Sequence, residues 1–165
     1  MRLTKTVCTA ALLLAGTAIG SAQTRDGLVC SEATLKGDYS FQIAGQILSP
    51  ALAAGLVSGV AMTVFDGHGN LTQVDHVLHN GIAPKEEWRP ATGSYEVNPD
   101  CTGTMTIEPK PTNSADSATP LFLRIVIGDS GNTILTVVTD TPFTSPFAPV
   151  ITSTGMKTFP GWSHQ

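Results

Sequence analysis

An all-β fold, a single antiparallel up-and-down β-barrel of about eight strands, is what this sequence predicts, on three observations. The chain of 165 residues is 41% hydrophobic and only 13% charged, with 16 glycines and 11 prolines. That balance is too apolar for a disordered chain and too rich in turn formers for a helical bundle. Past the N-terminus, apolar residues recur with period two, and no segment carries a sustained 3.6-residue stripe. Eight such runs follow one another like a meander, which a closed barrel accommodates without exposed edges. A β-sandwich of seven or eight strands is the alternative. Immunoglobulin-type sandwiches pack a Trp on a buried inter-sheet disulfide, whereas here Cys30 precedes the strands and Cys101 opens one just after a turn.

Residues 1–22 read as an export signal. Arg2 and Lys5 make a short basic start, residues 7–19 form an uncharged apolar run, and Gly20-Ser21-Ala22 supplies the small residues of a cleavage site. The run is shorter than the roughly 20 apolar residues that span a bilayer. Cys8 lies ahead of it, so it is not placed for lipidation and leaves with the signal. The expected product, residues 23–165, is one β-barrel domain outside the cell, or in the periplasm of a Gram-negative host. It keeps seven basic against thirteen acidic side chains, which argues against nucleic acid as a partner. Cys30 and Cys101 remain as an even pair with neither zinc spacing nor a C-x-x-C motif, so one structural disulfide is expected. The sequon Asn70-Leu71-Thr72 is a glycosylation site if the host glycosylates secreted proteins.

The strands follow in order. Over residues 38–48, Tyr39, Phe41 and Ile43 alternate with Ser40, Gln42 and Ala44, and Gly37 starts the run. Residues 57–65 carry Val60, Met62 and Val64 on one face. The turn Asp66-Gly67-His68-Gly69-Asn70 makes a tight hairpin into a third strand over 71–80, because Gly and Asn tolerate positive φ. A turn-rich loop over 80–87 leads to 88–97, with Tyr95 and Val97 on one side, and Asn98-Pro99-Asp100 turns into 101–108. There Gly103, Met105 and Ile107 alternate with threonines 102, 104 and 106. Residues 109–120 are the longest polar break and are expected to be mobile. The runs 121–127 and 133–139 are the most apolar, are joined by Gly128-Asp129-Ser130-Gly131-Asn132, and are expected to be central and buried. Three prolines in 141–149 bar a regular ladder there, and 150–157 supplies a last strand.

Three stretches carry a resemblance. They are Cys30-x4-Leu35-Lys36-Gly37-Asp38-Tyr39-Ser40-Phe41, Phe65-Asp66-Gly67-His68-Gly69-Asn70-Leu71, and Thr92-Gly93-Ser94-Tyr95-Glu96-Val97-Asn98-Pro99-Asp100-Cys101-Thr102-Gly103-Thr104. Together they resemble small secreted proteins with a C…LxGxYxF…DGxGN…GxYxVNxDCxGT pattern, similar to the calycin and allene-oxide-cyclase type of small β-barrel. The match spans residues 30–104, mostly turn glycines and the two cysteines. It implies a barrel whose relatives bind hydrophobic ligands or steer cyclisation of an unsaturated substrate.

Residue chemistry adds few candidates. Gly128-Asp129-Ser130-Gly131 copies most of the segment around a trypsin-like nucleophile, but such proteases need a longer two-barrel chain and a histidine base in context, so a hairpin turn is the better reading. His68, His76 and His79 with Asp66 and Asp75 cluster in sequence, yet alternation sets His76 with Val74 and Leu78, and Asp75 and His79 with Gln73 and Val77. No metal and no cofactor are expected. His76, on the apolar face, is expected in the lumen. Arg124 sits opposite the aliphatic face of Leu121, Leu123, Ile125 and Ile127, and faces solvent if that face fills a core. In a sharper reading Arg124 anchors an anionic or carbonyl-bearing ligand inside the barrel, oriented by Glu96, with Tyr39 and Tyr95 lining the same cavity. The expected function is binding of a small hydrophobic molecule by a secreted barrel, with no membrane partner. The alternatives are a cofactor-independent barrel cyclase or isomerase using His76 or Arg124, and a non-catalytic surface or matrix protein.

Overall fold

The computed structural model describes residues 29–51, 54–110, 119–139 and 148–158. The expected export signal with Cys8, most of the 109–120 connection and residues 141–147 of the proline-rich stretch lie outside the described residues. Eight strands form one closed barrel: β1 (Gly37–Ile47), β2 (Gly55–Phe65), β3 (Asn70–His79), β4 (Arg89–Val97), β5 (Thr102–Pro109), β6 (Leu121–Gly128), β7 (Thr133–Thr139) and β8 (Pro149–Lys157). Each pairs antiparallel with the next, and β8 returns to β1 with Ile47 opposite Pro149 and Tyr39 opposite Lys157. This is the up-and-down barrel that the meander spacing predicts, and the sandwich alternative falls. Pro149 opens a strand, a position where its missing N–H is tolerated. Besides the strands, the described residues hold only two short 3-10 turns, Glu32–Leu35 and Asp129–Gly131, and no helix long and apolar enough to cross a membrane.

The up-and-down order places two kinds of connection at opposite ends. Three tight hairpins, after β2, β4 and β6, share one end with the entry to β1. Between β2 and β3, the Asp66 carboxylate accepts hydrogen bonds from His68 N at 2.7 Å, Asn70 N at 3.0 Å and Asn70 Nδ2 at 2.8 Å. A side chain that caps its own turn in this way is what Asp contributes at such a position. The same bonds, those from Asn70 first and that from His68 N after them, hold the Asp66 carboxyl down at about 2. The longer connections follow β1, β3, β5 and β7, and the end where those four strands finish is the mouth.

At the hairpin end the lumen is filled. Tyr39, Phe65 and Tyr95 meet edge to face, with ring centres 5.2 Å and 5.0 Å apart. The Tyr39 hydroxyl donates to Gly131 O, while Tyr95 donates to Glu32 O at 3.1 Å and accepts from Gly67 N at 3.0 Å. Both phenols therefore keep buried hydroxyls partnered, as burial of a Tyr requires. The turn Glu32–Leu35 closes this end from below, with Leu35 fully buried. Gly131, at φ 91°, packs there so tightly that a Cβ would stand 2.6 Å from Thr34 O. The Cys30–Cys101 disulfide ties the segment before β1 to the β4–β5 hairpin across 71 residues. A loop of that length stabilises by up to about 4 kcal/mol through loss of unfolded-state entropy.

One shared face is now assigned a direction, and one expectation about burial changes. Val60, Met62 and Val64 share a face of β2, but that face points outward, while Val57, Ala61, Thr63 and Phe65 are buried. The runs 121–127 and 133–139 bury only one face each, because a closed barrel has no central strand. Leu123, Ile125, Ile127, Ile134 and Val138 fill the interior, whereas Val126 and Leu135 are 50% and 52% exposed.

Candidate functional site

Between the aromatic layer and the mouth the lumen is open, with a cavity of about 110 Å³. Its apolar wall includes Phe41, Ile43, Met105, Ile107, Leu123 and Val138, the inward residues of β1, β5, β6 and β7. Eight-stranded barrels are just wide enough for filling side chains or one small ligand. This one has filling side chains at one end and a cavity at the other.

Polar groups enter the cavity from β3, β4, β7 and β8. The inward face of that strand is Leu71, Gln73, Asp75 and Val77. Gln73 lies beside the fully buried Thr63 of β2, whose Oγ1 donates to Gln73 Oε1 at 2.9 Å. Asp75 lies opposite Arg89 at the start of β4. Arg89 Nε and Nη2 both reach Asp75 Oδ1, at 2.8 Å and 2.7 Å, with the side chains 43% and 13% exposed. Four strands around the ring, the hydroxyls of Thr136 and Ser153 meet at 2.7 Å. Each inward polar side chain on these strands thus has a neighbour that satisfies part of it, which is what makes an inward polar face tolerable.

None of the five sequence-predicted ligand residues lines this cavity. Tyr39 and Tyr95 do point into the barrel, but they belong to the aromatic layer beyond the cavity floor. Burial, and then the neighbouring Tyr95, pushes the Tyr39 phenol up to about 12, and burial raises Tyr95 as well. His76 is outside, its Nδ1 2.6 Å from Glu87 O and its ring 6.1 Å from that of Trp88. The expectation of a lumenal His76 fails because the other face of β3 has partners inside: Gln73 has Thr63 and Asp75 has Arg89. Arg124 is exposed on the outer wall, since the aliphatic face of β6 fills the interior. Glu96 is outside as well, with Thr104 of β5 between it and Arg124. A lumenal anchor at Arg124 oriented by Glu96 is therefore corrected, and neither His76 nor Arg124, the residues expected of a cyclase, lines the cavity.

Among the described residues no group of three or more His, Cys, Asp and Glu is placed to hold a metal ion. His68 belongs to the hairpin turn, with its Nδ1 3.1 Å from Asp66 O. Asn70 is exposed at the start of β3, with its amide nitrogen on Asp66. The segment Gly128-Asp129-Ser130-Gly131 is turn and strand end, with Ser130 at φ 54° and ψ 36°.

Sequence reasoning missed Thr136, Ser153 and, above all, Arg89. Its signal was available: Tyr95 and Val97 mark the inward face of β4, and stepping back by twos through Gly93 and Ala91 arrives at Arg89. Comparison with protein-family models, with curated proteins and with solved structures returns no match for this chain.

Proposed function

We propose that this chain is a secreted barrel that binds one small hydrophobic molecule in its lumen. The observation that carries the reading is the cavity of about 110 Å³, apolar over most of its wall and served by a few convergent polar groups. Pockets of that make-up, between an apolar body and a handful of orienting polar atoms, are what small-ligand sites are built from. A disulfide between Cys30, which is buried, and Cys101 is compatible with an oxidising compartment and supports the export reading of residues 1–22.

The test is displacement of a fluorescent hydrophobe from the wild-type protein and from Ala61→Leu. Ala61 is buried on the cavity wall, and the added carbons enter the free space. Wild type should bind the probe and Ala61→Leu should bind it at least about tenfold more weakly, with an unchanged far-ultraviolet circular dichroism spectrum. Equal binding by both proteins would place the probe elsewhere and remove the lumen as the site.

A further inference from the structure

Resting on that lumen-binding reading, we propose that the ligand is a neutral, one-ring-sized hydrophobe carrying a hydroxyl group, and that Asp75 and Gln73 read the hydroxyl. The argument begins with two atoms. The Arg89 Nε hydrogen bond and the Nη2 ion-pair contact both end on Asp75 Oδ1, and Thr63 donates to Gln73 Oε1. Asp75 Oδ2 and Gln73 Nε2 are left without a hydrogen bond inside the protein, although Gln73 is only 8% exposed. Among the described residues no fully buried side-chain nitrogen or oxygen lacks a partner. These two atoms therefore reach free space, and the space their residues line is the cavity.

They are two residues apart on the inward face of one strand, and they are complementary: Oδ2 accepts and Nε2 donates. A hydroxyl is the small neutral group that does both at once. Its hydrogen goes to the Asp75 carboxylate and its lone pair takes the Gln73 amide hydrogen. A carbonyl would leave Oδ2 unmatched, and an unmatched charged acceptor beside an apolar ligand is costly.

Charge narrows the class further. Arg89 and Asp75 cancel, so the cavity has no net charge to neutralise an ionic ligand. A carboxylate on Arg89 would sit next to the Asp75 carboxylate, and an ammonium on Asp75 next to the guanidinium. Size supplies the remaining limit. A dry cavity on the order of 150 Å³ holds a benzene ring. About 110 Å³ is tighter than that but opens at the half-exposed Arg89, so a single ring or a chain of similar bulk is the upper limit and a long acyl tail is excluded.

The experiment is calorimetric titration of the disulfide-bonded protein with four ring compounds of matched size: phenol, toluene, benzoate and benzylamine. Phenol should bind at least about tenfold more tightly than toluene, because its hydroxyl adds a hydrogen bond to a charged acceptor. Benzoate and benzylamine should bind more weakly than phenol. In Asp75→Asn the advantage of phenol over toluene should fall below about threefold, and benzoate should gain as Arg89 is freed. Toluene binding as tightly as phenol would overturn the hydroxyl assignment while leaving the lumen as the site. Benzoate binding most tightly would overturn it in favour of an anionic ligand on Arg89. Failure of all four compounds, with no displacement of the fluorescent hydrophobe, would remove the lumen-binding reading and this inference together. The wild-type series decides the question whether or not Asp75→Asn folds.

Discussion

Where β1 begins, three aromatic rings, a disulfide and the buried Leu35 fill the barrel; where β1 finishes, the same wall encloses free space beside an Asp–Arg pair. Both ends belong to one closed ladder, so strand pairing does not distinguish them. What differs is the side chains along the inward face. β1 runs inward as Tyr39, Phe41, Ile43 and Gly45, losing volume from the hairpin end towards the mouth. β4 runs the other way, from the charged Arg89 through Ala91 and Gly93 to Tyr95. Large rings gathered at one end leave free space at the other. What the contrast teaches is that one ladder can hold a filled end and an open end along a single axis.

The largest expected effect tests the filled end. Phe65→Ala removes the ring between Tyr39 and Tyr95 and should cost about 3–5 kcal/mol in chemical denaturation. Leu121→Ala, at the half-buried mouth end of β6, should cost only about 1 kcal/mol, because its methyl groups already border free space. Similar losses at both ends would break the division of labour.

A pH series sharpens the same contrast, because among the described residues the groups with displaced pKa values sit on the hairpin end. Tyr39 keeps its proton in the fold up to about 12 against an ordinary 10.0, so the unfolded chain loses that proton first. Stability from this group is complete below pH 10 and is lost as pH climbs from there to about 12. Asp66 has the opposite sign: held at about 2 against an ordinary 3.8, it contributes above 3.8 and stops contributing as pH falls to about 2. Asp100 is lowered in the same way by Thr102. Melting temperature followed from pH 2 to 12 should show a plateau with both flanks falling. Tyr39→Phe should remove part of the alkaline fall and leave the acid flank alone. An alkaline fall unchanged in that variant would assign it to other groups.

The smallest effects belong to the outer wall. Arg124→Ala and His76→Ala should each shift stability by less than about 0.5 kcal/mol and leave hydrophobe displacement unchanged. A clear loss of binding in either would mean that the ligand sits on the outside of the barrel.

The strand positions were legible because local chemistry determines them. Turn formers at Asp66-Gly67-His68-Gly69-Asn70 and at Asn98-Pro99-Asp100 delimit runs whose ends agree with the observed strands to within two residues. The inward face was legible where one side of a run is aliphatic and the other carries a charge, as in Leu121, Leu123, Ile125 and Ile127 against Arg124. It was not legible in β2, where Val60, Met62 and Val64 look like a core stripe but face solvent, and Ala61 and Thr63 face in. Small inward residues there leave room for Phe65 and the cavity, a requirement of the whole ring and not of the strand. In β3 the inward face carries Gln73 and Asp75, because Gln73 meets Thr63 ten residues earlier and Asp75 meets Arg89 fourteen later.

The amino-acid order by itself determined the β class, the eight runs, their hairpins and the cysteine pair, since period-two patterning, turn chemistry and cysteine number act over a few residues or by simple count. The closure of β8 on β1, the choice of inward face on β2 and β3, and the meeting of Asp75 with Arg89 were decided only by the tertiary structure. The reason is that alternation divides a strand into two faces without naming the inner one. That choice is made by partners on neighbouring strands, which satisfy a polar group in one register and strand it in the other.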